Sequence, residues 1–147
     1  MRVTAPVIAV LVLAGAVAAQ DAIKKEMAQL EGEWSMVSGE ANGLSMPKET
    51  VKSGKRVAKN GETIITIGGQ VYFKAKFSID PTKKPKHMDL KIEEGEAFKG
   101  ETSAAIYELD GDTLKWLAVM PGAARATEFP KDGDAGGQLY LVFKRAK

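Results

Sequence analysis

The sequence predicts an all-β fold: an eight-stranded antiparallel up-and-down barrel with a short N-terminal helix. Three observations lead there. Eight short segments are rich in strand-forming residues or alternate apolar and polar side chains with a period of two. Glycine- and aspartate-bearing turns join several of them directly. No long connection interrupts the series before residues 121–137, so each strand can pair with the next and the sheet can close without an open edge. A two-sheet sandwich is the competing architecture, and it usually needs longer crossings than these.

The chain has 147 residues. It opens with the three parts of an export signal: Met1 and Arg2 give a short positive region, residues 7–14 are uniformly apolar, and Ala16-Val17-Ala18 fits the small-x-small cleavage rule. The expectation is a signal peptide over 1–18 and one domain over 19–147, exported to the periplasm or beyond. The apolar run is shorter than the roughly 20 residues a spanning helix needs, so no membrane span is expected in the mature protein. With no cysteine there is no disulfide and no lipid-modified cysteine. The remaining chain, about 129 residues, is large enough to bury a core without staples.

Residues 22–30 read as a helix. Ile23, Met27 and Leu30 share one stripe, Asp21 serves as N-cap and Gly32 ends the segment. The first strand spans 33–38, a short helical turn covers 47–52, and a weaker strand follows at 55–59. Residues 63–67 are β-branched, and Gly68-Gly69 joins them to the strand 70–79. There Val71, Phe73, Ala75, Phe77 and Ile79 alternate with polar neighbours, so one face meets a core. Met88, Leu90 and Ile92 repeat the pattern in 87–93. The segments 102–109 and 113–119 flank Asp110-Gly111-Asp112. The last strand, 139–145, sets Leu139, Leu141 and Phe143 on one face.

Charge argues against nucleic acid as a partner. The chain holds 21 basic and 19 acidic side chains, and loss of Arg2 brings these closer still. The one dense basic cluster, Lys83, Lys84 and Lys86 around Pro85, reads as a solvated loop.

No catalytic constellation stands out, and a non-enzyme is expected. His87 is the only histidine, and it lies on a polar strand face without a second His or Cys to share a metal. Asp110-Gly111-Asp112 and Asp132-Gly133-Asp134 lack the further oxygen ligands of a calcium loop, and read as turns. Glu93, Glu94 and Glu96 around Gly95 read as a solvated loop. Neither a metal nor a cofactor is expected.

Leu30-Glu31-Gly32-Glu33-Trp34, residues 80–90 from Asp80-Pro81 to Asp89-Leu90, the hairpin from Ile106-Tyr107 to Thr113-Leu114, and Arg125-Ala126-Thr127-Glu128-Phe129 occur in this order. Together they resemble an uncharacterised family of small exported domains, known mostly from planctomycete bacteria and regarded as lipocalin-like. The resemblance runs from about Leu30 to Lys147. Two departures are visible: Ala126 stands where the family often has proline, and Trp116-Leu117 where it often has a cysteine. The resemblance implies a fold and carries no activity. Gly32-x-Trp34 also resembles the first motif of lipocalins, which implies that Trp34 packs across the closed end of the barrel against Arg145 from the last strand.

Trp34, Met36, Phe73, Phe77 and Phe143 are the large apolar candidates for the barrel interior. They either line a ligand cavity or fill the interior as a packed core. Two functions stay open: a carrier or sensor of a small apolar ligand, and an interaction or scaffold module of the cell envelope that meets a protein partner, with the 121–137 connection as its surface.

Overall fold

The computed structural model describes residues 4–95, 97–131 and 138–146, with side chains from residue 17 onward. A single helix, α1 (Thr4–Leu30), leads into β1 (Gly32–Ala41), β2 (Leu44–Ser45), a short α2 (Lys48–Ser53), β3 (Lys55–Lys59), β4 (Glu62–Ile67), β5 (Gln70–Asp80), β6 (Lys86–Gly95), β7 (Thr102–Asp110), β8 (Thr113–Val119) and β9 (Gln138–Arg145). Strands β3 to β9 pair antiparallel in sequence order, β3 also pairs with β1, and β1 pairs with β9. Eight strands therefore close into the expected up-and-down barrel. The ninth, β2, is a two-residue extension that folds back on β1.

Two-residue turns set the registers. Gly68 and Gly69 both have positive φ, 63° and 81°, the geometry that matches the twist of flanking strands. Asn60-Gly61 does the same between β3 and β4, and Asn42-Gly43 between β1 and β2.

Three bulges re-aim side chains. The β1–β9 register shifts between Met36 and Ser38, which places Val37 outside and lets Trp34, Met36 and Gly39 all point inward. A second shift, between Ile65 and Thr66, sets Tyr72 as the extra residue of β5. Val71 is consequently turned out of the face it was expected to share with Phe73, and is half exposed. A third leaves Glu93 as the extra residue of β6. Glu93 and Glu94 thus belong to a strand, not to a solvated loop.

Helix α1 departs from the sequence expectation in length. Residues 22–30 are helical as expected, but they continue the helix of the apolar N-terminal run without a break, so Asp21 is an interior residue and not a cap. Good helix formers on both sides of Asp21, Ala18 to Gln20 before it and Lys24 to Leu30 after it, favour propagation over a new start. Among the described residues, no helix is long and apolar enough to cross a membrane.

The core lies inside the barrel. Trp34, Ile65, Ala75, Leu90, Tyr107, Leu114, Trp116, Leu141 and Phe143 are all buried there. Ile106 and Leu117, a cross-strand pair on the outer wall, are buried as well. The connection after β8 is held over the neighbouring wall by Arg125. Its Nη1 donates to the carbonyls of Met88 and Ala105, at 3.1 and 2.7 Å, and its Nη2 pairs with Asp89 at 2.5 Å.

Candidate functional site

The two ends of the barrel differ. One end gathers the start of β1, the turn between β3 and β4, the turn between β7 and β8, and the end of β9. The last turns of α1 lie across it, with Leu30 fully buried and Met27 packed on the core. Helix carbonyls at a C-terminus have no partner within the helix, so this junction needs donors. The barrel supplies four. Trp34 Nε1 and Arg56 Nη1 donate to the Leu30 carbonyl at 3.2 and 2.8 Å. Arg145 donates to the carbonyls of Glu31, from Nη1 at 3.2 Å, and Gln29, from Nη2 at 2.9 Å. A carboxylate completes the seal: Glu26 accepts from Lys86 Nζ at 2.6 Å and from the Tyr107 hydroxyl at 2.9 Å. Lys86 is thus a fastener of α1 and not part of a free basic loop.

Arg145 also covers Trp34. Its guanidinium carbon lies 4.3 Å from the indole centroid, and the two residues are opposite each other in the β1–β9 ladder. A contact of this kind contributes roughly 0.5–2 kcal/mol. Asp112, from the turn after β7, orients the same guanidinium through a 3.2 Å bond to Nε.

Arg56 is the residue sequence reading missed. It points into the barrel from β3 and is almost completely buried, between Trp34 and Phe77 at 5.9 and 5.7 Å. Burial first, and the nearby Arg145 second, pull its pKa down to about 9. Its Nη2 has no hydrogen-bond partner among the described atoms, and neither does Thr63 Oγ1 on the adjacent strand. An alternation signal was available, because Arg56 and Ala58 share a face in β3. An arginine on that face reads as outward until the barrel's closed end is known.

The opposite end is open and holds a cavity of about 300 Å³. Its walls are Phe73 from β5, Leu90 and Ile92 from β6, Ser103 from β7, Ala118 from β8 and Leu139 from β9. Tyr72, Phe98 and Met120 stand at the rim, each more than a third exposed. Met46 and Val51, from the segment around α2, pack on the core at the β1 side. Among the described residues, the one buried hydroxyl of the wall is Ser103, whose Oγ donates to the Val119 carbonyl at 2.6 Å.

Of the five interior residues singled out in sequence, only Phe73 lines this cavity. Trp34, Met36, Phe77 and Phe143 are packed core. The difference is axial position: they point inward as alternation requires, but from strand segments away from the mouth. Trp116 links the two regions, its ring 5.5 Å from Phe73 and 6.2 Å from Phe143.

The remaining candidates sit apart from the cavity. His87 is on the outer wall, where partial burial and the cations Arg125 and Lys83 lower its pKa. Asp110 and Asp112 flank a hairpin turn. Asp132-Gly133-Asp134 and Glu96 lie outside the described residues. Among the described residues, no three His, Cys, Asp or Glu side chains gather where a metal ion could sit.

Comparison with protein-family models, with curated proteins and with solved structures finds no match to this chain.

Proposed function

We propose that this protein is an exported, lipocalin-like carrier that binds a small apolar molecule in the open end of its barrel. The observation that carries the reading is the cavity of about 300 Å³, walled by Phe73, Leu90, Ile92, Ala118 and Leu139, in a barrel whose other end is sealed. That size is at the lower bound of ligand pockets, which are typically apolar with few polar groups. A barrel of eight strands has room for side chains or for one small ligand, and here the division runs along the axis. Export is supported by the charged, apolar and small-residue parts of residues 1–18. The sequence resemblance to exported lipocalin-like domains points the same way.

The test is thermal unfolding of residues 19–147 with and without a panel of small apolar molecules. A ligand at a hundred times its dissociation constant adds about 2.7 kcal/mol. A saturable rise in midpoint for one chemical class supports the carrier, and a flat response across the panel overturns it.

A further inference from the structure

We propose, on the reading that the open-end cavity holds a ligand, that its occupant is a neutral apolar molecule carrying a hydroxyl, which donates a hydrogen bond to Ser103 Oγ.

The first argument is charge. Among the described residues, none that lines the cavity is Asp, Glu, Lys, Arg or His. A carboxylate or an ammonium drawn into these walls would lose its water without gaining a counter-ion, the costliest kind of burial. Arg56, the buried cation among the described residues, is committed at the other end.

The second argument is hydrogen-bond direction. Ser103 is the buried polar side chain of the wall, and its single proton is already given to Val119 O at 2.6 Å. A serine hydroxyl has one donor and two lone pairs, so what Ser103 has left to offer is acceptance. A ligand group facing it gains by donating. A ketone, ether or ester oxygen facing Ser103 would meet lone pairs, and a hydrocarbon there would leave the acceptor unanswered. An alcohol or phenol meets both conditions: it is neutral, and it donates.

The experiment titrates the barrel, followed by tryptophan fluorescence and calorimetry, with two matched series. One is adamantanol, adamantyl methyl ether, adamantane carboxylate and adamantylamine. The other is decanol, its methyl ether, decanoate and decylamine. The expected result is that the alcohol binds best in at least one series, by roughly tenfold over its ether and its charged relatives. Ser103→Ala should erase the alcohol's advantage over the ether while both still bind, and Ser103→Thr should keep it. Equal binding of alcohol and ether to the wild-type protein overturns the role of Ser103 without reference to any variant. A carboxylate or amine that binds as tightly as the alcohol overturns the neutral-ligand inference and leaves the carrier reading standing. Binding by no member of either series removes the carrier reading itself.

Discussion

Trp34 and Arg56 donate to the same acceptor, the carbonyl oxygen of Leu30, from Nε1 at 3.2 Å and from Nη1 at 2.8 Å. The acceptor closes α1, where the helix dipole is negative and unpaired carbonyls collect. Sharing has an energetic consequence. If Arg56 is removed, Leu30 O keeps the Trp34 bond and is not orphaned.

Arg56→Met should therefore stabilise the barrel. The change removes a buried cation with an unpartnered Nη2 and a repulsive neighbour in Arg145. Replacing a buried charge by an apolar side chain of similar size is often neutral or stabilising, and about 1 kcal/mol is expected here. Urea unfolding at neutral pH measures it, and a loss of stability would show that the guanidinium is better satisfied than its geometry indicates.

The same substitution has a pH signature. The folded pKa of Arg56 is lowered to about 9, by burial and then by Arg145, while the unfolded chain keeps the higher, ordinary guanidinium value. Between these values the unfolded state binds more protons, so stability rises with pH. The cost of the buried charge is complete below the folded pKa and lifts above it. The advantage of Arg56→Met over the wild type should be largest at neutral pH and shrink progressively as the pH rises through the folded value near 9 toward the ordinary guanidinium range.

Tyr107 has the opposite sign. Burial, followed by the bond to Glu26, raises its pKa above 10. Above that pH the unfolded phenol ionises while the folded one stays protonated, so the folded state binds more protons and stability falls. Tyr107→Phe should flatten the alkaline limb of the stability curve by up to about 1.4 kcal/mol per pH unit. Chemical denaturation of both proteins from neutral to alkaline pH reads the difference.

Glu26→Ala should loosen α1 without opening the barrel. Lys86 Nζ and the buried Tyr107 hydroxyl both lose their partner. Leaving such groups unpaired costs about 1–3 kcal/mol. Hydrogen exchange should quicken at residues 22–30, with strands β8 and β9 unchanged. Equal acceleration throughout would mean that α1 is part of the barrel's cooperative unit.

Ala118→Leu tests the cavity from within. Ala118 is a wall residue on β8, buried and small. A larger side chain there should abolish ligand-dependent stabilisation and leave the bare protein as stable as before, or about 0.5–2 kcal/mol more so. A marked loss of stability would mean that the wall is already filled.

Strand number and order were legible because alternation and two-residue turns act locally: Phe73 to Phe77 and Gly68-Gly69 carry their instructions within a few residues. The extension β2 could have been read from Asn42-Gly43, whose φ values of 53° and 79° make it a hairpin turn of the same type. The bulges were not legible. Tyr72 and Val37 look like any other strand residues, and only pairing with two neighbours reveals the extra one. The cavity was half legible. Alternation says that Phe73 and Phe143 point inward, but whether an inward residue meets empty space or a neighbour depends on its height in the barrel. Arg56 was hidden for the same reason, since its interior place exists only because α1 presents carbonyls there.

The sealed pole has one more consequence. The chain enters the barrel there through α1 and leaves it there after β9, where the Ala146 amide donates to Glu33 O at 2.9 Å. Arriving and departing backbone are thus side by side, at the pole facing away from the rim of Tyr72, Phe98 and Met120. A tether joined to either end of the folded unit would hold it with its mouth outward, as a cup is held by its base.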